Sequence, residues 1–401
     1  MKNKTRIISI SGNPVSGKST VIKQILEKLK SKGFSDENIH WVSTGNLFRE
    51  YFNKIMKLIE NIDNEEILKE FSEDVNMKKV LSNSIYRKKI QEECILLKKS
   101  GADVKKFDIA NANNSKELAS VRHIIDNIID TEIVELGKRI LEENNQKEVW
   151  LIDSRLAFHN IPESFSVRLT VKDSVAAKRL IKDSSRGKED NNYKDLEEAQ
   201  KKVTERKHGE QERYKRKYNI DLEDTNNYNL IIDTSYSDVD EIADVILNCE
   251  ECNRTGKKYG KTWASPKIFL PLQRISDTAG CGLGSNLNFE QMVESIKQNG
   301  YKPDKEIEVI YVNDKYYIIE GHHRNFASAY IGKTLIPYTK SIMISENEAK
   351  IRAKSLKLSY LYDYEETFKD KNGKMNFRYT DIYPDIYEQV KHYENLEQFE
   401  I

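Results

Sequence analysis

Ser9-Ile10-Ser11-Gly12-Asn13-Pro14-Val15-Ser16-Gly17-Lys18-Ser19-Thr20 follows directly on the apolar run that begins at Arg6 and leads into Val21-Ile-Lys-Gln-Ile-Leu-Glu-Lys-Leu29. The first run is short and rich in Ile, as a buried strand requires, and the last has apolar residues at helical spacing. Strand, Gly-bearing turn and helix in that order make a phosphate-binding loop. Gly12 and Gly17 let the backbone curl so that successive N–H groups and the helix N-terminus face an anion. Lys18 then reaches the β- and γ-phosphates of a nucleotide, and the Ser19 hydroxyl ligates Mg²⁺. ATP and magnesium are therefore the expected cofactors.

The chain has 401 residues, enough for two domains, each with its own core. Its 65 basic and 65 acidic side chains cancel, so no whole-chain field favours nucleic acid or an anionic membrane. No apolar stretch approaches a transmembrane span, and the first apolar run is too short for a signal-peptide core, so a cytoplasmic protein is expected. Four cysteines make no disulfide framework. Cys249-Glu-Glu-Cys252 is a lone pair with no histidine at zinc spacing and reads as incidental, a metal or redox role being the alternative. No internal repeat stands out, and nothing fixes the oligomeric state.

Further strand candidates are Ile39–Ser43, Val149–Asp153, Ser166–Val171 and Asn229–Asp233. They alternate with helical patterns, the rhythm of an α/β fold with a parallel sheet and helices on both faces. Residues 51–148 read as helices inserted between strands, forming the acceptor-binding region. The first domain is expected over 1–248, ending in a helix from Asp238 to Leu247. The polar stretch 249–265 reads as a linker. Residues 266–401 read as a smaller α+β domain: an apolar run from Ile268 to Ile275, a Gly-rich stretch, a helix over Phe289–Gln298, and a hairpin of Ile307–Val312 and Tyr316–Glu320. The tyrosine-rich tail from Tyr360 reads as packing and solvated helix, a partner surface being the alternative.

Four blocks of the first half carry a resemblance to the cytidylate kinase family over about residues 5–247. They are the loop Gly12–Thr20, then Ser43-Thr-Gly-Asn-Leu-Phe-Arg49, then Asp153-Ser-Arg155, and finally the stretch from Ala176 through Arg179 and Arg186 to Glu212-Arg213-Tyr214 and Asn227–Asp233. The resemblance implies transfer of the ATP γ-phosphoryl to a nucleoside monophosphate such as CMP or dCMP. Such transfer brings two polyanions together, and arginine forks that cannot lose their proton suit it. Arg49 and Arg155, past strand ends, are expected to hold the acceptor phosphate with Thr44 and Asp153, which orients Mg²⁺ through water or fixes Arg155. Arg179 and Arg186 flank a Ser-rich turn with the composition of a lid over the donor phosphates. The insertion at 52–130 departs from the family pattern and leaves the acceptor base open.

In the second half, Glu320-Gly321-His322-His323-Arg324 ends a strand candidate and opens a helix. Two imidazoles and a guanidinium at a helix N-terminus form an anion site. Over about residues 266–345 this resembles the ParB/sulfiredoxin-like superfamily, and the Gly-His-His-Arg form is most similar to its free serine kinase branch. That resemblance implies a second nucleotide held by Glu320, Gly321, His322, His323 and Arg324. Protonation of His322 or His323 as pH drops from about 8 to 6 is expected to strengthen its binding. Sulfiredoxin chemistry is disfavoured because no cysteine occupies the turn, although Cys281 lies in the same domain. DNA binding is disfavoured because no helix-turn-helix follows. The leading expectation is a two-domain kinase acting on nucleotides and a small-molecule acceptor. A kinase of a small hydroxylated metabolite and a nucleotide-gated regulator are the rivals.

Overall fold

The computed structural model describes residues 4–60, 82–99, 119–182, 195–271, 289–312, 315–341, 345, 347–348, 368–369 and 376–377. Five strands run parallel: β1 (Arg6–Gly12), β2 (Ile39–Ser43), β3 (Val149–Asp153), β4 (Phe165–Thr170) and β5 (Leu230–Asp233). They lie in the order β2-β3-β1-β4-β5. The connecting helices are α1 (Lys18–Ser31), α2 (Thr44–Glu60), α3 (Ser84–Lys99), α4 (Ala119–Glu143), α5 (Ala157–Asn160), α6 (Asp173–Lys182), α7 (Leu196–Tyr218) and α8 (Val239–Thr255).

Strand side chains alternate between faces, so β1 and β3 each feed two cores. Ile8 and Ile10 of β1 join Val21, Ile22 and Ile25 of α1 and Ile242 and Ile246 of α8 on one face. Ile7 and Ile152 join Phe52 and Ile55 of α2 and Ile124, Ile125 and Ile128 of α4 on the other. The result is a mixed α/β fold with a central sheet covered by helices on both faces. In register, Ile10 of β1 and Ser43 of β2 both align with Asp153 of β3, which brings the carboxyl ends of the three strands to one edge. Ligands of open parallel sheets bind beyond that edge.

The polar stretch 249–265, expected as a linker, is built into the fold instead. Helix α8 continues to Thr255, with Cys249 and Glu250 buried and Glu250 ion-paired to Arg6 of β1. Strand β6 (Thr262–Ala264) then pairs parallel with β5. Beyond it come β7 (Phe269–Pro271), α9 (Phe289–Asn299), β8 (Ile307–Val312), β9 (Lys315–Glu320), α10 (His322–Tyr330) and β10 (Ile336–Lys340). β10 pairs antiparallel with β6, so one sheet of ten strands continues as β5-β6-β10-β8-β9-β7. The expected hairpin is present as β8 and β9.

The halves also share a core. Trp263 of β6 and Leu335, just before β10, pack in the same cluster as Ile8 and Ile10. Trp263→Ala is therefore expected to destabilise the whole described fold by about 3–5 kcal/mol, the cost of emptying a buried aromatic site. A denaturant melt followed by two probes, one in each half, checks this. One shifted transition is the expected outcome, whereas an unshifted first-half transition contradicts a shared core.

Arg186 and its Ser-rich turn, the Gly-rich stretch with Cys281 and most of the tyrosine-rich tail lie outside the described residues. Within the tail, Phe368–Lys369 and Asn376–Phe377 pair as a separate antiparallel ribbon. No helix among the described residues is long and apolar enough to cross a membrane.

Candidate phosphate-transfer site

The loop from Gly12 to Lys18 closes tightly against the sheet. A Cβ on Gly12 would stand 2.4 Å from the Leu169 carbonyl oxygen of β4, closer than any real side chain comes. Gly17 caps α1 at φ +82°, a left-handed conformation open to glycine without strain. Ser16 is buried, and among the described residues its hydroxyl has no hydrogen-bond partner. A cradle of this form, with an orphaned hydroxyl beside a helix N-terminus whose first N–H groups have no acceptor within the helix, fits a polyphosphate.

Three ionic groups from three elements converge on the loop. Lys18 Nζ donates to the carbonyl oxygens of Gly12, at 3.1 Å, and Asn13, at 3.4 Å. Arg155, just past β3, also donates to the Gly12 carbonyl, at 2.7 Å. The rest of its fork is held bidentately by Glu210 of α7, at 2.8 Å from Nη2 and 2.7 Å from Nε. Burial and the neighbouring Arg155 charge push the Lys18 ammonium down to about 7, against the pull of Asp153 and Glu210. Burial raises the Glu210 carboxyl, but the Arg155 charge and hydrogen bonds overcome it and hold the group down at about 2. Arg155 itself is held charged by Glu210 despite burial.

The acceptor-side residues meet at the neighbouring strand ends. Ser43 Oγ donates to Asp153 Oδ2 at 3.2 Å, and Thr44 Oγ1 donates to the Asp153 carbonyl at 3.1 Å. Arg49 is exposed on α2 and donates to Asn46. Ser19 and Thr20 are exposed on the first turn of α1. Arg179 of α6 reaches the loop from behind: it donates to Val15 O at 3.4 Å, to Thr234 Oγ1 at 3.1 Å and to the Thr234 carbonyl. In this conformation its fork braces backbone.

Two residues escaped the sequence reading. Glu210 had a signal: Arg206, Glu210, Arg213 and Lys217 recur at helical spacing and so form one stripe of α7. That stripe faces Arg155 and α4, where Arg213 lies 3.8 Å and Lys217 3.9 Å from Asp126. Arg168 of β4 had none, since it sits in an apolar strand. It is buried, donates to Asn13 Oδ1 at 3.0 Å and to Tyr228 OH at 3.2 Å, and pairs with Glu223 at 2.7 Å.

The second-half turn is formed as expected in its backbone. Gly321 takes φ +98° as the cap of α10, and a Cβ there would strike Ile307. Its side chains depart from the expectation. Arg324 donates to the carbonyls of Lys305, at 3.0 Å, and Glu306, at 2.8 Å, and lies 3.9 Å from the exposed Glu320 carboxylate. His322 is buried, and burial with the adjacent His323 pushes it down to about 4. His322 therefore stays neutral between pH 8 and 6, which corrects that part of the expectation. The ring nitrogen Nε2 of His323 is buried without a hydrogen-bond partner among the described residues.

Residues 7–236, more than half of the chain, match the model of the Cytidylate kinase-like family. A cytidylate kinase of Methanocaldococcus jannaschii is 31% identical over 183 residues, which cover 45% of this chain and 86% of that one. An S-adenosylmethionine-dependent nucleotide dehydratase of Lacinutrix mariniflava is 27% identical over 240 residues, 60% of this chain but only 35% of that protein's length. A solved structure of an uncharacterised protein from Eubacterium ventriosum covers 62% of this chain and 99% of its own at 14% identity, with a TM-score of 0.34, too slight a likeness to carry any inference. With a phosphate loop and paired arginine and carboxylate at the carboxyl edge of a parallel sheet, the chain belongs to the cytidylate kinase-like family.

Proposed function

We propose that the protein is an ATP- and magnesium-dependent phosphotransferase that moves the γ-phosphoryl to a nucleoside monophosphate of the CMP or dCMP type. The observation that supports it best is the meeting of Lys18, Arg155 and Asp153 at adjacent strand ends, with Glu210 holding Arg155 over the loop. Cationic groups on both sides of a transferring phosphoryl stabilise its spread charge. The names of the relatives, cytidylate kinases and a nucleotide dehydratase, favour nucleotides over other acceptors.

In this reading Gly12, Ser16, Gly17, Lys18, Ser19 and Thr20 hold the donor phosphates. Magnesium keeps most of its waters and takes phosphate oxygens, so it asks for few protein ligands. The exposed Ser19 hydroxyl and the Asp153 carboxylate are oxygen donors of that kind, and bound magnesium would neutralise phosphate charge. Arg155, Thr44 and Arg49 face the acceptor, and the stripe Arg213 and Lys217 with Asp126 walls its base side. Arg179 and Arg186 steady the donor side. Mixing the purified chain with ATP, Mg²⁺ and a panel of nucleoside monophosphates and hydroxylated metabolites tests the reading. Bare hydrolysis with every acceptor would sink it and favour a nucleotide-gated switch.

The division into 1–248 and 266–401 is proposed as one of labour. The turn Glu320–Arg324 is the candidate second nucleotide site of ParB/serine-kinase-like type, with His323 and the N–H groups of α10 as its donors. Arg324, occupied by carbonyls, shapes the turn.

A proton balance follows from Lys18. Its amine is largely neutral above pH 7 in the free protein, and phosphates against it raise its pKa. At pH 8 nucleotide binding is expected to take up most of a proton, and affinity to weaken as pH rises from 7 to 9. Titration calorimetry in two buffers of different ionisation enthalpy reads the uptake. Equal heats in both would contradict a neutral Lys18.

A further inference from the structure

The loop that backs the phosphate cradle is fastened from the far half of the chain. Thr234, at the end of β5, is buried; its hydroxyl lies 3.1 Å from the Ser16 carbonyl and 3.0 Å from that of Thr170, and it accepts from Arg179, which also reaches Val15. The five residues from Thr234 to Asp238 then lead into α8. Their far end is gripped by Thr334, in the turn between α10 and β10. The Thr334 hydroxyl accepts from the Asp238 N–H at 2.8 Å and donates to Glu241 Oε2 at 2.7 Å. The same carboxylate oxygen accepts from the Thr334 N–H at 2.7 Å, and Lys333 pairs with Glu241 at 3.3 Å. Ser237 Oγ lies 3.1 Å from the Thr334 carbonyl. Leu335, the next residue, is fully buried in the first half's core.

We infer that Thr334 is a positioning residue for the donor phosphate loop: the second half holds segment 234–238, and through Thr234 and Arg179 it holds Val15 and Ser16. Asp238 is the N-cap of α8, accepting from the Asp240 and Glu241 N–H groups, so Thr334 fixes the helix start and the loop entering it together. Two of the bonds fall on a carboxylate and are of the stronger, charge-assisted kind. Contacts of this sort, remote from the ligand but in one packed chain with its site, change binding by modest factors. This residue lies outside residues 7–236, which match the family model.

The inference rests on residues 12–20 being the donor site. The test uses the full chain with Thr334→Val, which keeps shape and removes the hydroxyl, with Thr334→Ser as rescue. By calorimetry with MgATP and, separately, CMP, Thr334→Val is expected to weaken MgATP roughly three- to tenfold and leave CMP within about twofold, with Thr334→Ser close to the parent. A lower melting temperature with unchanged MgATP affinity, or an equal loss for both ligands, would overturn the inference. Should Thr334→Val not fold, Glu241→Gln is read against the same outcomes. Should the parent protein bind no nucleotide, the donor-site reading fails, and the brace is then judged by hydrogen exchange: faster exchange at residues 13–20 in the variant supports it and unchanged exchange overturns it.

Discussion

Lys18→Ala is expected to lower phosphoryl transfer by ~100-fold or more without lowering the melting temperature. The loss follows from position. The Lys18 amine already lies against the loop carbonyls of Gly12 and Asn13, on the rim of the cradle where donor oxygens sit in the proposed reading. A cation there strengthens its interaction as charge develops on the transferring group, so the effect falls on kcat as well as on nucleotide affinity. The fold is spared because the side chain fills no part of either core. The sign of its electrostatic contribution agrees. A lysine pushed down to about 7 is disfavoured when charged in the folded state, so it opposes folding below pH 7 and that opposition fades between pH 7 and the unfolded value of 10.5. Removing it gives no loss of stability at neutral pH. Steady-state kinetics and a thermal melt on the same sample check both halves of the expectation. A variant with wild-type turnover shows that the loop does not serve transfer, and one that loses turnover and fold together shows a structural lysine. Calorimetry adds a third check, because the proton uptake at pH 8 must vanish with the amine.

The first half was legible because its strands are continuous apolar runs beside a loop whose glycines and lysine have few other uses. β2 and β3 fall on the residues expected, and α1 contains the expected helix. The second half was misjudged at its junction. The end of α8 reads as polar linker because its burial depends on Arg6, 244 residues away, which neutralises Glu250. β6 has three residues, too few to show alternation. β10 carries Pro337, which argues against an interior strand, yet it pairs with β8 only from Tyr338 onward. At the site, the arginines were visible as motif residues and their partners were not. Glu210 is one of many charges on α7, and only the packing of that helix over the loop shows which stripe meets Arg155. His322 illustrates the converse: its sequence context reads as a chargeable imidazole at an anion-binding helix start, and burial, with the adjacent His323, keeps it neutral.

Arg155→Ala is expected to raise the acceptor Michaelis constant roughly 10- to 150-fold, the range for losing a hydrogen bond to a charged group, and to raise the ATP constant by less. Part of any ATP effect has a separate cause. In the native site the Arg155 fork neutralises Glu210, whose carboxyl it holds down at about 2. Without the fork, a buried carboxylate stands beside the donor loop and repels phosphates, opposed by Lys18, Arg206 and Arg213. Burial, the first influence on Glu210, then raises its pKa unopposed by Arg155. Two results should follow. Arg155→Ala should bind ATP more tightly as pH falls toward the raised Glu210 value, because protonation removes the repulsion. The double variant Arg155→Ala with Glu210→Ala should recover most of the lost ATP affinity but none of the acceptor's, since no fork is restored. Kinetics with each substrate varied in turn, on the two single variants and the double, separates the terms. If the double variant recovers the acceptor constant as well, Arg155 acts only by neutralising Glu210 and has no contact with the acceptor phosphate.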